Sequence, residues 1–373
     1  MGGRGIGVGL IGTGYMGKCH ALAWRNVGAV FADVPHPRLV HLAEIDAARA
    51  EDRAEKLGFA RATGDWRELI ADPEVEIVSI TTPNAFHAEM ALAALAAGKH
   101  VWCEKPMATK LNDARRMRDA ARASARITAL GYNYIQNPVI RHACALIAQG
   151  AIGTVNHVRV EMDEDFMADP AAPIGLKSEA ASGHGALDDF AVHPLSLLQA
   201  ITGTPTAVTA LTAKPYATRP SPAGDRPVET DDIATALMEF DAGVTGLLAV
   251  NRAAWGRKGR IAIQIFGSAG TIAYDQERMN ELQLYRTGGG DQGFTQILAG
   301  PAHPPYAAFV PAPGHGLGFN DLKIIEAREI LTAIAGRPAT IIDFEAGYAI
   351  ERTVEALALS ARLRRWVRLD EIA

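Results

Sequence analysis

The stretch GLIGTGYMGKCHALAW, residues 9–24, constrains the fold more than any other part of this 373-residue chain. Gly12, Gly14 and Gly17 stand in the G-x-G-x-x-G spacing, where an apolar strand-like run meets a helical one. There Gly12 permits a tight turn, Gly14 lets backbone approach a pyrophosphate, and Gly17 lets helix and strand close on each other. The helix start, with Tyr15 and Met16, offers unpaired N–H groups to an anion. Glycines that merely turn the chain are the plainer alternative, but the strand before and the helix after favour a dinucleotide site.

That reading carries forward to the end of the next apolar run, HLAEIDAA, which presents Glu44 and Asp46. An acid at this point accepts hydrogen bonds from the adenosine ribose hydroxyls and repels a 2'-phosphate. Glu44 is the better placed, and Ile45 stands where an arginine would favour NADP, so NAD is expected over NADP. The insertion DVPHPR lengthens the spacing from Gly17, which leaves a solvated strand end as the other reading of Glu44.

From residue 5 to about 130, strand-like runs (GIGVGLIG, RLVHLAEI, EIVSITTP, HVWCEK, ITALGYN) alternate with helical ones. Strands apolar on both faces and separated by helices predict an α/β fold with a doubly wound parallel sheet. Beyond GYNYIQNP the rhythm changes. VNHVRVEMDED, TAVTALTA, ATALMEF, GVTGLLAV, RIAIQIFG and GTIAYD follow with few helices between, which predicts a second, α+β domain with a large, mostly antiparallel sheet. The chain is long enough for two cores, and the division falls at 1–130 and 131–373. Two Gly- and Pro-rich loops, 212–232 and 287–320, read as functional or interfacial.

With 37 basic against 42 acidic residues, spread along the chain, no basic stripe exists for nucleic acid or an anionic membrane. A small-molecule partner fits better. Three scattered cysteines, Cys19, Cys103 and Cys144, make neither a disulfide framework nor a zinc pattern, which points to a reducing, cytoplasmic setting.

Read beside the glycine turn, TTPNAFHAEMALAALAAGKHVWCEKPMA resembles the Gfo/Idh/MocA family, the glucose-fructose oxidoreductase and inositol dehydrogenase group. The resemblance continues through GAIGTV, GHGALDDFAVHPLSLL, IFGSAGTIAYD and DFEAGYAIERTVEAL, so it spans nearly the whole chain. DEDFMADP, GPAHPPY and GLGFNDLKIIEA are similar to the levoglucosan dehydrogenase branch. It implies a Rossmann domain followed by a domain whose open sheet binds substrate and joins homodimers or homotetramers.

It also implies roles. Lys105 of the E-K-P motif would reach the reacting oxygen, and Glu104 would hold that ammonium or touch the cofactor. Pro106 disfavours helical angles at Lys105 and so extends the strand; a surface ion pair is the alternative. Thr82, Pro83, Asn84 and His87 would line the cofactor, although Asn84 is equally a helix cap and His87 equally a packing residue. Asp189 and His193 match the family's D-x-x-x-H pair, with His193 as proton acceptor and Asp189 on a neighbouring hydroxyl or the ring. His184, Pro194 and Ser196 depart from the family pattern, and Pro194 means that the helix kinks or starts there. A metal cluster of His184, Asp188, Asp189 and His193 is a weaker reading, and no metal is expected. Tyr132, Asn133, Tyr134 and Asn137 are candidate sugar contacts, with Asp163, Asp165 and the NRAAWGRKG stretch with Trp255 as further ones. The expected activity is NAD-dependent oxidation of a sugar, anhydrosugar or inositol. NAD-dependent glycoside hydrolysis and a non-catalytic sensor are the alternatives.

Overall fold

The computed structural model describes residues 5–290 and 292–372. They form two compact units, one running up to Gln136 and including Leu317–Tyr348, the other comprising Asn137–Gly316 and the chain after Tyr348.

In the first unit β1 (Gly7–Ile11), β2 (Arg38–Ala43), β3 (Arg61–Thr63), β4 (Ile77–Ile80), β5 (His100–Cys103) and β6 (Thr128–Leu130) form one sheet in the order β3-β2-β1-β4-β5-β6. Every pairing is parallel. Helices α1 (Tyr15–Val30), α2 (Ala47–Leu57), α3 (Trp66–Ala71), α4 (His87–Ala96) and α5 (Leu111–Ser124) make the crossovers. β1 and β4 are buried at every residue, as strands covered on both faces must be. The order reverses between β1 and β4, the point at which such sheets bind ligands. β3 escaped the sequence reading because three residues are too few to show a period.

The second unit opens with α6 (Pro138–Ala148), β7 (Val155–Glu164), a π-helical turn (Leu187–Ala191), α7 (Val192–Ile201) and β8 (Ala207–Ala213). A short hairpin of β9 (Thr218–Arg219) and β10 (Arg226–Pro227) lies in the first of the two loops. Then come β11 (Ile233–Glu239), β12 (Thr245–Asn251), β13 (Lys258–Gly267), β14 (Gly270–Asp275), β15 (Glu281–Arg286), β16 (Thr295–Leu298) and a short α8 (Tyr306–Phe309). β16 lies within the stretch read as loop 287–320, where Gly-rich flanks hid it. Nine strands form one sheet, β16-β15-β14-β13-β7-β12-β11-β8-β17, with β17 at Val367–Arg368. The β12–β7 pair is parallel and the other pairs are antiparallel, so the sheet is mixed but mostly antiparallel. β11 alternates buried and exposed residues along its length, so one sheet face is packed and the other open.

Between these, α9 (Phe319–Ile334) returns the chain to the first unit, and α10 (Phe344–Leu363) follows. The expected division at 130/131 therefore differs from the observed one at both ends. β6 is locked to the returning segment by a bond from Leu130 N–H to the Ile342 carbonyl (2.8 Å). α9 also carries a buried lysine that the first unit needs. A helical period shows that a segment is a helix, not which core it joins.

Candidate active site

The glycine turn follows β1 and opens α1. Gly12 has φ +89°, in the region glycine favours, and a Cβ there would lie 3.0 Å from the Thr81 carbonyl. A Cβ on Gly17 would lie 2.3 Å from the Gly12 carbonyl oxygen, so helix and turn touch as the spacing predicted. Gly14 is different: no protein atom comes within 4 Å of its ideal Cβ. The start of α1 has no side-chain cap and no acid in its first turn, so its N–H groups and positive dipole end are open to an anion. Thr81 fastens the turn from β4, its hydroxyl donating to the Gly12 carbonyl (2.8 Å).

Glu44 folds back onto this turn. Its Oε1 accepts from Thr13 N (2.6 Å) and the Thr13 hydroxyl, and its Oε2 lies 3.3 Å from Arg49 Nε. Asp46, its rival, caps α2 by accepting from Arg49 N (2.8 Å). A carboxylate thus borders the turn, with Arg49 four residues beyond Ile45, a cation the sequence reading did not weigh. The residues present suit a dinucleotide with an unphosphorylated ribose: an open backbone concavity, a free helix end and an adjacent acid.

After β5, Glu104 is buried and its carboxylate is fully engaged. Oε1 accepts from His20 Nε2 (2.9 Å) and from Lys323 Nζ of α9 (2.7 Å), while Oε2 accepts from Lys105 N (3.2 Å). The ammonium that Glu104 holds in these contacts is that of Lys323. Burial alone would push the Glu104 carboxyl up, but Lys323 and His20 outweigh it and hold it well below the usual carboxylate range. Burial pushes His20 down to about 4, so it donates as a neutral ring stacked on Trp102 (3.6 Å). Lys323 also pairs with Glu326 (2.9 Å), whose carboxyl burial raises to about 7. Lys105 follows at half-burial, with a cis bond to Pro106.

His87 is fully buried. Its Nδ1 lies 2.8 Å from the Pro106 carbonyl and its Nε2 3.0 Å from the Thr82 carbonyl, so it ties the Lys105 turn to the end of β4 instead of facing open space. Burial pushes its imidazole down. Thr82 and Asn84 are half-buried and Pro83 is exposed. Asn84 caps nothing, since the short helical turn there has Pro83 at its cap with no side-chain bond. Tyr132 and Asn133 are buried, while Tyr134 and the exposed Tyr15 both pack on Phe319 (6.1 and 5.9 Å between rings).

In the second unit Asp189 lies in the π-helical turn and His193 is the second residue of α7. π-helical turns are rare and are frequently found at functional sites. Pro194 is the third residue of α7, and the π-helical turn runs directly into that helix, with Ala191 and Val192 both in the right-handed helical conformation. His193 is buried, and its carbonyl accepts from Ser196 Oγ (2.7 Å). Asp189 Oδ2 pairs with Lys177 Nζ (2.7 Å) and lies 3.6 Å from Arg252 Nη1. Asp188, its neighbour, points inward: it accepts from His184 N, and burial pushes it up to about 6. His184 Nε2 lies 3.3 Å from Glu355. Among the described residues no group of three or more His, Cys, Asp or Glu is placed to hold a metal ion.

Two expected substrate contacts lie elsewhere. Asp163 shares the open sheet face with Arg260 (3.4 Å) and Glu161, while Val158, Val160 and Met162 alternate onto the packed face. Alternation sorted the faces, but sequence did not say which face the helices cover. Asn137 is buried as the cap of α6, accepting from Val139 N (2.9 Å) and donating to the Tyr274 hydroxyl (3.0 Å). Asp165 pairs with Lys258 (2.5 Å). Trp255 is exposed. Conversely, Thr13, Thr81, Lys177, Asp232 and Lys323 were missed, and Arg252 was covered only as part of the NRAAWGRKG stretch. Only Lys323 left a trace, a lysine three residues before a glutamate inside the apolar period of α9.

A family model described as "Oxidoreductase family, NAD-binding Rossmann fold" matches residues 6–132, and one described as "GFO/IDH/MocA C-terminal domain" matches residues 140–273. The chain is 34% identical to levoglucosan dehydrogenase of Pseudarthrobacter phenanthrenivorans, over 99% of this chain and all of that one. A solved levoglucosan dehydrogenase in complex with NADH and levoglucosan superposes with a TM-score of 0.95, covering 98% of this chain and 100% of the other. An NAD binding oxidoreductase from Klebsiella pneumoniae is 40% identical, also at 0.95, covering 98% and 99%. From the glycine turn of the first unit to the Asp189–His193 turn of the second, this chain is an oxidoreductase of the Gfo/Idh/MocA family.

Proposed function

We propose that the protein oxidises or reduces a secondary alcohol or ketone of a sugar, anhydrosugar or inositol with NAD(H). The observation that carries the substrate class is the full-length likeness to levoglucosan dehydrogenase. Likeness to the myo-inositol 2-dehydrogenase of Thermotoga maritima, 28% over 75% of this chain, supports it more weakly. Gly12, Gly14, Gly17 and the start of α1 would hold the pyrophosphate, and Glu44 the adenosine ribose. Thr82, Pro83 and Asn84 would border the cofactor. When bound, the nicotinamide supplies the hydride chemistry.

The protein's own groups handle charge and protons. His193 takes the hydroxyl proton, a task suited to a neutral imidazole near pH 7. Lys105 stabilises the negative charge that develops on that oxygen. Asp189 accepts from a neighbouring hydroxyl, and Tyr132, Asn133 and Tyr134 contribute to the sugar's surroundings.

The test follows reduced-cofactor absorbance with NAD and NADP against levoglucosan, inositols and aldoses. Lys105→Ala and His193→Ala should each lower kcat by roughly 10²–10⁴-fold with NADH binding retained. Wild-type rates in either variant, or cleavage of a glycoside without net NADH, would refute these roles.

The assembly we propose is a homodimer or homotetramer joined through the open sheet face, where Leu211 and Leu237 stand exposed. Sedimentation as a monomer at micromolar concentration would exclude it. The free cysteines fit a reducing cytoplasm, and no helix among the described residues is long and apolar enough to cross a membrane. Recovery of the native protein from a periplasmic fraction would overturn that placement.

A further inference from the structure

Arg252 follows β12 and is 1% exposed, and Asp232, entering β11, is 0% exposed. The guanidinium is gripped along one edge: Nε and Nη2 both donate to Asp232 Oδ1 (3.1 and 2.7 Å), and Nη2 also reaches Thr230 Oγ1 (3.3 Å). A planar guanidinium so held has one direction left for its remaining amino group, and Nη1 lies 3.6 Å from Asp189 Oδ2. Lys177, also on that oxygen, has a side chain 55% exposed, so solvent and substrate can compete for it. Arg252 has no such exchange open to it.

We infer that Arg252, anchored by Asp232, is a positioning residue that fixes the Asp189 carboxylate for the substrate hydroxyl. This deepens the reading of Asp189 given above and rests on it. A buried ion pair adds little stability over apolar residues of similar volume, whereas removing one partner strands a charge. Arg252 therefore acts through geometry, and the two contributions separate experimentally.

The double variant Arg252→Met, Asp232→Leu removes both buried charges together, and Arg252→Lys keeps the charge while losing the fork. Each is assayed with the sugar that the wild type turns over fastest. Both should lower kcat/KM for the sugar by about 10²-fold, the usual effect of a misplaced contact. KM for NAD and the dissociation constant of NADH should not move, since the proposed cofactor groups belong to the first unit. In an Asp189→Asn background neither change should cost anything further. A full additional loss in that background, or wild-type kcat/KM in folded Arg252→Lys, overturns the inference. Wild-type turnover by Asp189→Asn alone refutes the role of Asp189, and with it this inference. If the double variant does not fold, Arg252→Lys decides alone.

Discussion

The two units set their candidate reactive groups in place by different means. In the first, the dinucleotide turn is made of backbone: three glycines, a helix end and the hydroxyl of Thr81. In the second, Asp189 is aimed by side chains, with Arg252 and Lys177 on its carboxylate and Asp232 behind Arg252. Backbone geometry is encoded locally, because glycine is chosen residue by residue. An ion-pair scaffold is encoded by residues that meet only after folding. The Lys105 turn is intermediate, a local E-K-P motif whose acid depends on a lysine 219 residues later.

That dependence gives the largest expected effect. Lys323 is fully buried with Glu104 and Glu326 on either side, and both carboxylates are themselves buried. Lys323→Met strands them and should cost about 3–5 kcal/mol of unfolding free energy, measured by urea titration. If the cost is below 1 kcal/mol, the Lys105 turn is set by local geometry after all, and its intermediate standing disappears.

The glycine turn should yield a smaller effect that splits in two. Gly17→Ala places a Cβ 2.3 Å from the Gly12 carbonyl and 2.9 Å from Thr81 Oγ1, an overpacking that should cost about 1–3 kcal/mol. Gly14→Ala meets no protein atom within 4 Å and keeps an ordinary φ of −64°, so its melting temperature should match the wild type. Only its NADH affinity should fall. A Gly14→Ala variant that binds NADH as tightly as the wild type would mean that the open space is not where the dinucleotide lies.

This contrast explains how much could be read before folding. The three glycines and Glu44 can be picked out within a few residues, the E-K-P motif and the Asp189–His193 pair are named through the family resemblance, and the parallel sheet follows from apolar runs separated by helices. Lys323 and Arg252 cannot be picked out in this way, because a charge at the end of an apolar strand or inside a helix looks the same whether it is solvated or buried. His87 shows the converse. The family resemblance leaves it between a cofactor contact and a packing residue, and both ring nitrogens are turned to backbone carbonyls that come together only when β4 and β5 pair. Asn137 was misread for the same reason, since its partners Tyr274 and Met279 are remote in sequence.

The smallest effect concerns Asp188, beside Asp189 but turned into the core. Its carboxyl is raised to about 6 by burial, with the nearby Asp189 charge adding and His184 opposing. An acid whose native pKa exceeds its unfolded value of 3.8 binds its proton more tightly when folded, so stability falls as pH rises from about 4 to 6 and stays lower above that. Asp188→Asn keeps an oxygen to accept from His184 N–H and carries no charge. It should raise unfolding free energy by about 1–2 kcal/mol at pH 8, and the gain should vanish near pH 4, where the native carboxyl is already protonated. Chemical denaturation at the two pH values checks this. A gain of equal size at both would come from packing, and burial of the Asp188 carboxyl would then carry no charge penalty.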